Sequence, residues 1–348
     1  MIAPAARRIL LAVPTFIGIT LIVFLLVHAS PGGDAPLLDA DPETGTATRA
    51  AVDNAPLAAQ YARWLGRLSP VRPIEGAWSV AWPDLGTSRV RGLPCAEIVG
   101  PRLFTTLALG VPALVIIALV AVPLGVLSAR RIHGTADRLI STTVVALWSF
   151  PLVWAAALAV TVLGSRAIMG EWAIPTRGLH TPGTESLPFL PARMADGSFT
   201  WGALADTLAH AAAPIVCLVY AGLAVLTRQT RSAMLEELGR PFVAAARAKG
   251  VPESGILWRH ALSNSLLPII TLVSSAFTGV IAGSVIVESA FSIDGMGRLL
   301  LDAIARRDRE LILAITAIAT LITMASVVVA DVVTSAVDPR TIREGRGV

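Results

Sequence analysis

The chain has 348 residues, of which 54% are hydrophobic and 15% charged, and its mean hydropathy is +0.70. Soluble domains carry about 25% charged residues, so a soluble fold is excluded, as is disorder, which needs low hydrophobicity. Two cysteines, Cys95 and Cys217, cannot make a disulfide scaffold, and a net charge of +4 without a Lys/Arg run or aromatic–basic stripe gives no nucleic-acid partner.

An all-α polytopic membrane protein remains. A span needs about 20 mostly apolar residues, and six such stretches follow in order: 9–29, 103–127, 139–163, 207–227, 266–289 and 311–336. The second is expected to be broken by Pro112 and Pro123. The third holds Pro151 and the fourth Pro214. Arg7-Arg8 before the first stretch also fits a secretory signal. Its apolar run of about 20 residues exceeds the 7–15 of a signal core, so a retained helix is expected.

The chain then divides into an N-terminal segment with the first span (1–29), an outside loop (30–102), a five-helix core (103–336) and a tail (337–348). The core contains a long inside loop, 228–265. With the N-terminus inside, 69 inside residues carry 14 basic ones, and 135 outside residues carry the same number. Basic density in short loops sets topology, which places both termini in the cytoplasm.

The first outside loop opens on Ser30-Pro31-Gly32-Gly33 and contains a short amphipathic helix from Pro56 to Leu65. Leu57, Tyr61, Trp64 and Leu65 share one of its faces, which reads as an interfacial helix with an aromatic anchor. A second outside loop, 165–206, carries Pro175, Gly178, Pro182, Gly183, Pro188 and Pro191. It is too long for a plain connector.

The inside loop is the most informative segment. Phe242–Lys249 is helical in pattern, with Ala244, Ala245 and Ala246 in a row. Gly250 is a natural helix stop, Pro252 opens a second short helix, and Glu253 stands in its favourable first turn. The expectation is a helix–turn–helix whose small residues let another surface approach closely.

This segment, Ala244-Ala245-Ala246-Arg247-Ala248-Lys249-Gly250, resembles the EAA loop of binding-protein-dependent ABC importer permeases, in the "ARAKG" form of the dipeptide, oligopeptide and nickel class. Other phrases are similar in register: Gln60-Tyr61, Trp64-Leu65, Asp84 to Ser88, Arg102-Leu103, Thr106-Leu107, Gly283 to Glu288, Phe291 to Leu299, Arg307-Asp308 and Asp338-Pro339-Arg340. The Pro-Gly-Gly, Ile-Leu-Trp-Arg-His and Glu-Gly-Arg phrases look most like the permeases for oligopeptides or microcin-type peptides. The sequence departs from the pattern at Arg240-Pro241-Phe242, at Arg309-Glu310 and around Asp331.

The resemblance implies a type I ABC importer permease fold in the bacterial inner membrane. It implies ATP-binding subunits, a second homologous permease, an extracytoplasmic binding protein and a peptide substrate as partners, besides membrane lipid. Carried over by position, the ATPase-coupling residues are Ala244, Ala245, Arg247, Ala248, Lys249 and Gly250, flanked by Glu253 and Ile256. No catalytic residue, cofactor or metal is implied. The residues agree on one point: Lys249 is the only lysine and lies in Ala-Lys-Gly, so there is no P-loop and ATP must be hydrolysed by another chain.

Glu288 and Asp331 are the intramembrane acidic candidates. They sustain an alternative, a proton-coupled carrier, against the plainer view that both are paired or hydrated near span ends. Gly279 and Gly283 form a Gly-x-x-x-Gly on the fifth span, expected to pack closely on a neighbour. The histidines have no metal-like spacing.

Overall fold

A computed structural model describes residues 2–29, 39–40, 47–48, 55–74, 77–80, 82–184, 192–193 and 199–337. The helices are α1 (Ile2–Ala29), α2 (Leu57–Leu68), α3 (Cys95–Arg130), α4 (Thr135–Ser149), α5 (Leu152–Leu158), α6 (Arg166–Met169), α7 (Gly202–Leu238), α8 (Pro241–Ala248), α9 (Glu253–Gly255), α10 (Leu262–Ala290), α11 (Met296–Ala305) and α12 (Arg309–Val337). Three two-stranded antiparallel hairpins sit in the connections. Expectations for the Pro-Gly-Gly segment and the tail from 338 onward fall outside the described residues.

Five helical stretches are long and apolar enough to span, and a bent pair, α4 with the continuation of α5, passes the same test only when its two halves are taken together. The third expected span is therefore not straight: it turns by 85° between Ser149 and Leu152. The residue before a proline is pushed out of the helical region, and Phe150 is extended (φ −89°, ψ 118°) ahead of Pro151. The freed Phe150 carbonyl accepts the Tyr220 hydroxyl at 3.0 Å. Pro112 and Pro123 do not break α3, which is helical throughout its 36 residues; a membrane helix tolerates proline where neighbours supply the lost contacts.

The helices also outrun their apolar windows. α7 has 37 residues, about 55 Å at 1.5 Å per residue, against a hydrocarbon core of about 30 Å. Its last eleven residues, 228–238, belong to the expected inside loop. On the other side of that loop, α9, a π-helical stretch (Ile256–Ala261) and α10 form one continuous rod from Glu253 to Ala290. The second short helix is thus the beginning of the fifth span.

The chain divides into two compact units. The larger comprises Met1–Ile9, Arg102–Leu299 and Thr323–Val348. Its core gathers Leu109 and Ile117 of α3, Leu218 and Leu226 of α7, Val280 and Val287 of α10, and Phe291 and Ile293 beyond it. Here α3 and α7 approach closely: a Cβ on Gly222 would lie 2.6 Å from Ile117, and one on Gly125 would lie 2.6 Å from Thr230. The expected glycine contact on the fifth span is not found at Gly279, whose Cβ position meets nothing within 4 Å.

The smaller unit comprises Leu10–Pro101 and Leu300–Ile322. Its core packs Tyr61 and Trp64 of α2 on Phe24 of α1 and on Leu313 and Ala317 of α12. Tyr61 donates to the Ile17 carbonyl at 3.0 Å and lies 2.9 Å from the Thr20 hydroxyl. The aromatic face of α2 is therefore buried in protein rather than anchored at an interface. An interior tyrosine hydroxyl needs a partner, and α1 supplies two.

Two phrases far apart in sequence meet in this unit. The Ser88 hydroxyl donates to Asp308, and Arg67 pairs with Glu310 at 3.2 Å. A Cβ on Gly86 would lie 2.6 Å from the Glu310 carboxylate, which would have to shift, and Gly86 also takes φ +77°, where an L side chain is strained. Glu310, a departure from the family pattern, is thus locally accommodated.

Candidate functional site

The helix–turn–helix between α7 and α10 is built from three local devices. Pro241 sits in the first turn of α8, where its missing N–H costs nothing. Arg240, ahead of it, pairs with Glu237 at 2.9 Å. At the other end, Gly250 takes φ +76°. Its N–H bonds the Arg247 carbonyl at 2.9 Å, and the Val251 N–H bonds the Ala246 carbonyl at 3.1 Å. These 5→2 and 6→1 bonds form a complete Schellman motif. Arg247 then reaches across the turn to Glu253, with Nε–Oε1 2.7 Å and Nη2–Oε2 3.3 Å.

Ala244, Ala245, Arg247, Ala248, Lys249, Gly250 and Glu253 are all exposed. Val243 is the buried anchor of α8, which packs against the π-helical stretch. Ile256, expected among the docking residues, is fully buried instead. Its side chain holds the site together and presents nothing outward. The result is a narrow ledge of small side chains with a fixed turn, two cations and one carboxylate.

A second cluster, at the ends of α3, α4 and α7, centres on an acid that the sequence did not single out. Asp137, in the first turn of α4, is only 4% exposed. Arg231 of α7 forks onto it, with Nε–Oδ1 2.8 Å and Nη2–Oδ2 2.9 Å. Ser128 of α3 donates to it as well, as does Ser141 at 3.3 Å. The His133 N–H, in the α3–α4 turn, adds a bond at 2.9 Å. An apolar cluster of Val126, Ala129, Met234, Leu257 and Ala261 joins the same helix ends with the start of the fifth span. The available signal was an acid in an otherwise basic short connection, 128–138, at the mouth of a span.

Glu288 is fully buried and paired. Its carboxylate accepts the Thr106 hydroxyl at 2.7 Å and the Arg298 N–H at 3.0 Å, and Thr106 in turn accepts the Met296 N–H at 2.8 Å. The pair satisfies the open N–H groups of the first turn of α11, where negative charge is favoured. Asp331 is half-buried on α12, less than two turns from Val337. Glu288 thus has a structural job that leaves its oxygens occupied, and the carrier reading gains no support.

The profile of the family described as "Binding-protein-dependent transport system inner membrane component" matches residues 121–343. The chain belongs to this family: it is a multi-pass inner-membrane permease subunit with the type I permease fold. Among its relatives, the oligopeptide transport system permease protein AppB of Bacillus subtilis is 34% identical over 98% of this chain and 99% of its own length. The dipeptide transport system permease protein DppB of Escherichia coli is 32% identical over 96% of this chain and 97% of its own. The protein of the same name from Alkalihalophilus pseudofirmus is 28% identical over 98% and 99%.

Proposed function

We propose that this permease imports peptides, taking them from an extracytoplasmic binding protein and drawing its energy from ATP hydrolysed by separate subunits. The ledge formed by Ala244, Ala245, Arg247, Ala248, Lys249 and Gly250 is the docking site for one ATPase, with Glu253 bracing it. Both termini and this ledge lie in the cytoplasm, where basic density is higher. A second, homologous permease supplies the other half of the pathway. Peptide is preferred over nickel because the relatives are named for oligopeptide and dipeptide transport.

The observation that carries the reading is the ledge itself. Its exposed alanines sit between two long rods and its turn is rigidly closed, so a partner's push on α8 is passed to α7 and α10 with little lost in local bending. Docking needs close backbone approach, which small residues permit.

The test is uptake of labelled peptide into vesicles holding the whole importer. Ala245→Arg adds bulk to the exposed face, and Gly250→Pro destroys the positive-φ turn, because proline is held near φ −65°. Both should abolish ATP-dependent uptake and co-purification of the ATPase, while the permease still inserts. Uptake surviving both changes would overturn the docking assignment.

A further inference from the structure

We propose that Asp137 is a positioning residue for transport: by clamping Arg231 it ties α7 to the α3–α4 turn, so that displacement of α8 reaches α3 and α4 as well as α10. The inference rests on the reading of α8 as the ATPase-docking helix.

α8 leaves α7 after Gly239, and Arg231 lies seven residues before the end of α7 at Leu238. That is about 10 Å of continuous helix, stiff enough to carry a displacement. At Arg231 the movement meets a two-point grip. The guanidinium fork engages both carboxylate oxygens, which fixes orientation as well as distance. Asp137 is itself held from two other directions, by Ser128 near the end of α3 and by the His133 N–H within the turn. His133 adopts φ 60°, a left-handed conformation unusual outside glycine. Pulling Arg231 therefore pulls the turn and, through it, the ends of both α3 and α4.

The apolar cluster beside this grip cannot do the same work. Val126, Ala129, Met234, Leu257 and Ala261 hold the helix ends together, but apolar contacts are non-directional. Holding two helices together does not require charge either: a buried ion pair is often no more stabilising than an apolar pair of equal size. What the pair adds is a fixed register between α7 and the α3–α4 turn. One residue away, Thr230 meets Gly125 so closely that a Cβ there would clash at 2.6 Å, so α3 and α7 are already in hard contact where the grip acts. α4 is also the first half of the 85° bent span. The route thus runs from the docking ledge to the helix that is broken by the 85° bend.

The test uses the complete importer in proteoliposomes, with peptide uptake and ATP hydrolysis measured on the same vesicles. Asp137→Asn keeps the size of the side chain and removes the charge. Arg231→Lys keeps the charge and removes the fork. Both should assemble and hydrolyse ATP near the wild-type rate, while peptide imported per ATP falls about tenfold or more, the scale of a typical coupling free energy. The swap of Asp137→Arg with Arg231→Asp should recover part of that ratio. Uptake and hydrolysis falling together, in proportion to the complex assembled, would overturn the inference and leave the pair a structural one. An unchanged ratio in Arg231→Lys would also overturn it. If wild-type vesicles show no ATP-driven uptake, the docking reading itself fails, before any variant is compared.

Discussion

Replacing Glu288 tests the buried cap on α11 with a predictable ranking. In Glu288→Ala the Thr106 hydroxyl and the Arg298 N–H lose the acceptors they now have at 2.7 and 3.0 Å. The Thr106 hydroxyl is buried and the Arg298 N–H partly so; a buried orphaned group costs about 1–3 kcal/mol, so the loss is at least about 1–3 kcal/mol before any cavity is counted. Glu288→Gln keeps the shape and one acceptor oxygen but turns an NH2 toward a donor. It should cost about 1–3 kcal/mol. Thr106→Val removes the donor to Glu288 and the acceptor for Met296 in one step, which puts it between the two. Gly295→Ala drives a Cβ to 2.3 Å from the Glu288 carboxyl carbon, forcing the cap to move without removing any polar atom. The assay is the melting of detergent-solubilised permease followed by the fraction that stays monodisperse after heating. The expected order is wild type, Gln, Val, Ala. A Glu288→Ala protein that melts with the wild type would refute the cap, and so would a Gln variant less stable than the Ala one. The same variants separate transport from titration: Glu288→Gln, where it stays folded, should import peptide with ATP and need no proton gradient.

Three further outcomes are expected. Gly250→Ala should cost only about 1–2 kcal/mol, the left-handed penalty of an L-residue, because its Cβ would meet nothing within 4 Å; uptake should fall modestly, well short of the loss in Gly250→Pro, and equal loss in both would contradict this. Tyr220→Phe leaves the Phe150 carbonyl without its 3.0 Å donor and should cost about 0.5–1.5 kcal/mol without straightening the bend, which Pro151 imposes; loss of the bend, read by distance between spin labels on α4 and α5, would count against that. Asp302 is held below the ordinary carboxylate value by hydrogen bonding to Arg306 and then to Arg91, so its contribution is present above about pH 3.9 and fades as pH falls through the lower folded value. The site is about a third exposed (33%), so the melting gap between wild type and Asp302→Asn should stay under about 1 kcal/mol at pH 7, close on acidification and shrink with salt; a gap that widens in acid would reverse the sign of the argument.

What was legible in the sequence follows from how far each signal reaches. Hydropathy located five straight spans and the bent pair because the bilayer acts as a solvent on about 20 residues at a time. Gly250 was legible because a helix stop needs one residue with access to positive φ. The helix ends were not, since hydropathy marks where a helix meets lipid and not where its hydrogen bonding stops. α7 continues through Arg228, Arg231, Glu236 and Glu237 because such residues are good helix formers and several find partners. The bend at Phe150 was only half legible: proline marks a possible break, yet α3 holds Pro112 and Pro123 without one.

Pairs distant in sequence left the faintest trace. Asp137 and Arg231 are 94 residues apart, and Thr106 and Glu288 are 182 apart. Neither pair has a local pattern, and each acid taken singly reads as a solvated loop charge or a span-end charge. Ile256 failed for a related reason. Position along the motif placed it beside the docking residues, but the helical start of the fifth span turns it inward, where it is fully buried. Spacing along a chain tells which residues are neighbours. Only the helix direction tells which of them a partner can touch.

The ledge and the grip divide the work between rigidity and exposure. α8 offers few atoms for a partner to hold: its exposed residues are mainly alanines. Association also costs about 0.5–1.5 kcal/mol for each rotamer-rich side chain it immobilises. Alanine has no rotamers to lose, and Arg247 is already tied to Glu253 at 2.7 Å. The turn is closed by two backbone bonds before any partner arrives. On the proposed reading of α8 as the docking helix, docking on such a surface would be weak per contact but carry little ordering cost, as a contact made and broken in each cycle requires. On the same reading, the force it passes on would fall to stronger joints. The bidentate Asp137–Arg231 pair and the buried Val243 and Ile256 are the groups that would serve, because none of them is spent on the exposed face.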